Sequence, residues 1–240
     1  MTIHLPRTAD YFLTVPAYEV AALQRYLDLM ERNLDALIEQ DPQPDWDGRP
    51  ETRGQAFVAQ LHHDVVSTML PQIFRSSFVL VLYAVLEAAI TETALVLSKQ
   101  HGCAEFKPGQ KFLKEASGYL MSEFGIVLLP DETRDAIHLL KRVRDAFVHA
   151  NGRKGAIKER TWTQLERDRQ SGAHFSLEDG YVKLDRQFLI NMLLAVRITL
   201  RQLILAARQS LEDAAKGPNA AARPRLNLGG IGNSHGTRAT

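Results

Sequence analysis

The sequence predicts an all-α protein with one small β-hairpin ahead of its last helix. Three observations carry this. Apolar residues recur three or four positions apart along most of the chain, strand-like alternation is confined to two short runs, and the clearest breaks carry Gly, Pro or Asn-Gly. With 240 residues, 45% hydrophobic and 24% charged, the composition is that of an ordinary soluble globular protein, large enough for one core of roughly 200 residues. Lys and Arg number 29 against 28 Asp and Glu, a formal net charge of +1, which excludes a nucleic-acid-wrapping protein of the highly basic type. The single cysteine, Cys103, excludes an internal disulfide framework and a Cys-rich zinc site, and fits a reducing, cytoplasmic setting. No apolar run follows a basic start between Met1 and Pro16, so no signal peptide is expected.

The first helix is expected to begin with Pro16 in its first turn and to run to about Gln40, on Val20, Leu23, Leu27, Met30, Leu34 and Leu37. Asp41–Arg53 reads as a loop. A second helix is expected over Gln55–Leu70, with Pro71 marking a break or a new helix start. A central helix then covers about Gln72–Lys99 and stops near Gly102. Its segment Ser76–Leu97 is the most apolar stretch of the chain. Only Ser76–Leu86 is free of charge, and Glu87 and Glu92 interrupt the remainder, so it reads as a buried bundle helix rather than a membrane span. Gln110–Phe124 is a shorter amphipathic helix ended by Gly125. Pro130, Asp131 and Glu132 start the next one, with acids at the positive end of its dipole, and Asn151-Gly152 stops it. His174–Leu177 and Tyr181–Leu184, joined by Glu178-Asp179-Gly180, form the hairpin. The last helix spans about Asp185–Ala215. The organisation is therefore an N-terminal helical region (1–70), a helical bundle (71–216) and a tail (217–240) with three arginines and no acid.

One constellation carries chemistry, and it sits late in the helix that ends at Asn151. Arg144 and His149 are five positions apart, about 140° around the axis, so they flank one face. Asp145 shares a face with His149 four positions on and can hydrogen-bond one ring nitrogen. An imidazole beside a permanent cation is what proton transfer at a phosphodiester requires. The same spacing recurs at Arg169…His174, in a stretch read as loop. Between Lys141 and Arg160 lie Lys141, Arg142, Arg144, Arg153, Lys154, Lys158 and Arg160 against Asp145 and Glu159, a net +5 suited to phosphates flanking a scissile bond.

Arg144-Asp145-Ala146-Phe147-Val148-His149 resembles the motif of the HEPN superfamily (higher eukaryotes and prokaryotes nucleotide-binding domains): Arg, a polar residue, then His after four to six intervening positions. The run from Phe74 to Glu87, apolar and ending in a glutamate, is similar to the early core helix of those domains. The likeness covers about Pro71–Gln209 and leaves Met1–Leu70 unmatched. It implies an up-and-down helical bundle that dimerises, with the two motifs facing each other across a composite cleft. It further implies a metal-independent endoribonuclease without cofactor, of the kind that serves as a toxin or phage-defence effector, with an antitoxin or other protein partner. His149 would be the general base or acid, Arg144 would neutralise charge on the phosphate, and Asp145 would orient one of them. The family also holds inactive members that bind RNA, a nucleotide or a partner protein.

Plainer roles stand beside these. Arg144 suits a salt-bridged helix arginine and His149 a histidine capping the last carbonyls. Asp145 is equally suited to an ion pair with Lys141 or Arg142. Glu87 either pairs with an arginine, Arg144 among them, from behind the site, or lies at the bundle rim. His62-His63 point about 100° apart and make a poor metal pair. Trp162 packs on the bundle or stacks on a base, and Trp46 sits in a polar loop.

Overall fold

The computed structural model describes residues 7–41 and 53–216. The predicted loop after Asp41, including Trp46, and the tail after Lys216 lie outside the described residues, as does the start of the chain. The elements are α1 (Arg7–Gln40), α2 (Arg53–Asp64), a π-helical turn (Val65–Met69), α3 (Leu70–His101), α4 (Phe112–Phe124), α5 (Asp131–Ala150), a 3-10 turn (Lys154–Ala156), α6 (Glu159–Gln170), strands β1 (Phe175–Glu178) and β2 (Tyr181–Leu184), and α7 (Arg186–Ala215). Because α2, the π turn and α3 follow without a break, the described chain is a bundle of six helices with a two-stranded antiparallel hairpin before the last. The all-α expectation with its hairpin stands.

The centre of the bundle is the pair α3 and α7, with α1 and α5 packed against both. On α3, Phe78, Leu82, Leu86, Ile90, Ala94 and Leu97 recur at helical spacing and are sealed from solvent. Val20, Leu27, Met30 and Leu34 of α1 belong to the same continuous core, so the N-terminal helix shares the core of residues 71–216. Gly54–His101 and Arg186–Ala215 are both long and apolar enough to cross a bilayer by length and composition. In the fold 44% and 50% of their apolar windows are buried, against each other and against α1 and α5.

Several boundaries differ from the sequence expectation. α1 begins at Arg7 and runs through Pro16. A proline inside a helix removes one backbone bond and costs about 3 kcal/mol, and here its ring is buried, which offsets part of that cost. Of the two readings of Pro71, the new start is the one formed, without a break in chain direction. It occupies the first turn of α3, directly after a π turn whose wider hydrogen-bond ring absorbs a residue without an N–H. The helix α6 is absent from the sequence expectation, and Arg169, read as loop, is in its last turn. Only Trp162 and Leu165 of its twelve residues are buried, too few to leave a periodic trace in the sequence. In the hairpin, Glu178 pairs with Tyr181, so the turn is Asp179-Gly180 alone. Both have positive φ, 51° and 76°, the geometry of a two-residue hairpin turn that matches strand twist and favours Asp-Gly.

The hairpin is clipped to α3 by side chains. The Gln72 amide donates to the Leu184 carbonyl and accepts from the Leu184 N–H, at 3.0 and 2.8 Å. Arg75 Nη1 donates to the same carbonyl at 3.1 Å, while its Nε and Nη2 grip both oxygens of Glu31 on α1 at 2.9 and 2.8 Å. Asp185 caps α7 by accepting from the Phe188 N–H at 2.7 Å. At the other end of α1, the two Asp41 oxygens are hydrogen-bonded to His62 Nδ1 and His63 Nδ1 at 2.9 and 3.0 Å. The neighbouring histidines thus meet one carboxylate that the sequence did not reveal.

Candidate active site at the end of α5

α5 buries Ile137, Leu140, Val143 and Ala146 and turns one arc of its surface outward. Its end is set by Asn151 and Gly152, both at positive φ, with their N–H groups bonded back to the carbonyls of Phe147 and Ala146. Arg144 stands at one edge of the outward arc. Its Cζ lies 5.2 Å from the centre of the Tyr83 ring on α3, and its Nη1 donates to Asp145 Oδ1 at 2.9 Å. The other Asp145 oxygen accepts from Lys141 Nζ at 2.5 Å. The guanidinium is therefore pinned between an aromatic face and a carboxylate, with 31% of its side chain still open to solvent. A cation already fixed in place loses less freedom when a phosphate arrives.

His149 is exposed in the last turn of α5. About 7.5 Å further along the axis and 140° around it, it marks the opposite edge of the arc from Arg144. Asp145 makes no hydrogen bond to it; its two oxygens bond Lys141 and Arg144. Asp145 combines the two roles open to it in the sequence: it pairs with Lys141, and it holds Arg144 rather than His149.

Tyr83 is the residue sequence reasoning missed. It is buried, 2% exposed, and its hydroxyl interacts with the Glu87 carboxyl one turn on. The signal was present: Tyr and Glu four positions apart share a helix face. Burial pushes the Tyr83 hydroxyl well above the usual phenol range, helped by the nearby carboxylates of Glu87 and Asp145. Burial likewise holds Glu87 above the usual carboxylate range, against the pull of Arg144. Glu87 is thus half-buried and close enough to feel the charges of Arg144, Asp145 and Lys141, without an ion pair to either cation.

That shift has a sign. The folded chain holds the Glu87 proton more firmly than the unfolded chain. Its contribution is complete below the ordinary carboxylate pKa and is lost as pH rises through the raised value. Glu87→Gln is expected to raise the melting temperature at pH 7 by about 1–2 °C, with the difference fading by pH 4. Thermal melts at the two pH values check it. A variant that melts lower than wild type only at pH 7 would mean the attraction to Arg144 outweighs the burial.

The basic stretch does not form one patch. Arg142 points about 160° away from Arg144 and within about 20° of His149, and its Nε donates to Asp168 of α6 at 2.8 Å. Arg153 stacks at 5.8 Å over Tyr181, and Lys154 at 5.3 Å over Trp162. Both are tied to the hairpin by the bonds Lys154 N–H to Gly180 O and Val182 N–H to Gly152 O. Trp162 is buried and donates to Glu166 at 2.7 Å, so its indole packs on the bundle and is not free to take a base. Of the predicted residues, Lys141, Arg144, Asp145 and Glu87 come together. Arg142 falls on the His149 edge of α5, engaged by Asp168, while Arg153 and Lys154 turn to Tyr181 and Trp162.

Comparison with protein-family models, with curated proteins and with solved structures finds no match.

Functional weight therefore rests on the residues. One further imidazole shares α5: His138, which burial and then the adjacent Arg142 hold below the usual range. It favours the neutral ring near neutrality.

Proposed function

We propose that this protein is a metal-independent endoribonuclease of the HEPN type, a toxin or defence effector working as a homodimer in the cytoplasm. The observation that carries the reading is Arg144, laid on Tyr83 and held by Asp145, at one edge of an outward arc whose other edge is the exposed His149. A single strand lying across that arc meets a fixed cation and an accessible base together. His149 takes the proton of a ribose 2′-hydroxyl as that oxygen attacks the phosphorus. Arg144 neutralises the charge that gathers on the phosphoryl oxygens, the P–O5′ bond breaks as the new P–O2′ bond forms, and the leaving 5′-oxygen takes a proton from water while His149 returns its own to solvent. The products are a 2′,3′-cyclic phosphate and a 5′-hydroxyl. Asp145 and Glu87 act behind Arg144, as positioning residues. Lys141, Arg142, Arg153 and Lys154 hold flanking phosphates on two sides of the helix end, and an antitoxin or other protein partner restrains the activity.

The test uses the full chain with single-stranded RNA in excess chelator. Expected are cyclic-phosphate ends from RNA and none from the same strand carrying 2′-O-methyl groups. Intact RNA at every protein concentration overturns the catalytic proposal. One observation favours a second reading: no described residue orients His149. A module that binds RNA, a nucleotide or a partner without cutting predicts salt-dependent binding that needs Arg144, with no product.

A further inference from the structure

α1 and α7 leave a groove between them, of about 710 Å³, a volume ordinary for a binding site. Its floor is apolar: Val20, Leu193 and Leu200 are buried there, while Leu194 and Leu205 stand more than half exposed at its lip. The described lining residues include four arginines and no carboxylate. Arg25 comes from the α1 wall and Arg197, Arg201 and Arg208 from α7. On α7 the offsets of four and seven hold the three within about 40° of one another, along about 16 Å of axis. Arg25, Arg197 and Arg201 are exposed and form no ion pair among the described residues. Like charges four apart weaken a helix, so the row does not serve the stability of α7.

The distribution of charge selects the occupant. A fatty acid or similar amphiphile carries its charge at one end, whereas these cations line both walls and run along the length. A single nucleic-acid strand on these cations would leave the apolar floor without stacked bases, because no described lining residue is aromatic. An amphipathic helix with an apolar stripe at i, i+3, i+4 and i+7 and acids on both flanks matches floor and walls together.

We propose that the α1–α7 groove is the docking site for an acidic amphipathic helix of a partner protein. The proposal stands whether or not the chain cuts RNA. A displayed library of helical peptides of about 18 residues is selected on the full chain and counter-selected on Arg197→Glu/Arg201→Glu, two exposed positions whose variant is first shown to keep its helicity. Enriched peptides should carry Leu stripes flanked by Asp and Glu. They should bind the double variant at least tenfold more weakly, lose affinity with added salt, and slow amide exchange in α1 and α7. Peptides without acids, binding that ignores the two arginines, or no peptide that separates the two proteins would overturn it. Parallel titrations with palmitate and with single-stranded RNA complete the test. Tighter, arginine-dependent binding of either one reassigns the groove and overturns the helix.

Discussion

His149→Ala is expected to lower RNA cleavage by at least about 10²-fold, the usual worth of a positioned general base, with circular dichroism and oligomeric state unchanged. The side chain is exposed and makes no hydrogen bond or ion pair with a described residue, so nothing in the fold depends on it. Arg144→Ala should cost about 10²–10³-fold, the loss seen when one fixed stabiliser of transition-state charge is removed. Its stability cost should stay near 1 kcal/mol, because a part-exposed ion pair and one stacking contact are worth little more. Arg144→Lys separates charge from shape. A lysine keeps the positive charge but loses the planar fork that rests on Tyr83 and grips a phosphate in two places, so cleavage should recover only in part. Time courses on a labelled RNA decide the matter, and a full rate in either alanine variant would remove the catalytic roles.

The largest stability effect is expected at Arg75. Glu31 is 1% exposed and both its oxygens are held by Arg75. Removing the arginine strands a buried carboxylate, which costs about 3–5 kcal/mol. It also strips the Leu184 carbonyl of one of its two side-chain donors, leaving Gln72. Arg75→Ala should therefore lower the melting temperature by on the order of 10 °C. The Arg75→Met/Glu31→Leu pair, which removes both charges and keeps volume, should recover most of that loss. A single variant as stable as wild type would show that water reaches Glu31 in solution.

The parts of this fold that were legible in the sequence are those where burial writes a period. α5 could be bounded at both ends, because Pro130 and the acids after it suit a helix start and Asn151-Gly152 accept the left-handed backbone that ends one. α6 left no such trace, since a twelve-residue helix anchored by Trp162 and Leu165 is polar elsewhere. The ion pair Glu31–Arg75 and the hydrogen bond Asp41–His63 join residues 44 and 22 positions apart, and no local pattern encodes such pairings. At the candidate site the motif Arg144…His149 could be read along the chain, but its support could not. Tyr83 looked like one more apolar residue in an apolar run. The charge sum over Lys141–Arg160 treated as one patch what azimuth divides: neighbours 100° apart on a helix reach different partners, Asp145 for Lys141 and Asp168 for Arg142.

The π turn at Val65–Met69 sets a phase. One residue more than an α-helix needs is taken up there, so every side chain upstream is rotated by about 100° relative to where a regular helix would carry it. That offset is what aims His62 and His63 at Asp41 and leaves Phe57, Val58 and Leu61 facing outward. A chain one residue shorter in this turn would keep its core and lose that aim. The length of the turn, more than the identity of its residues, decides which side of α2 the protein shows to its surroundings.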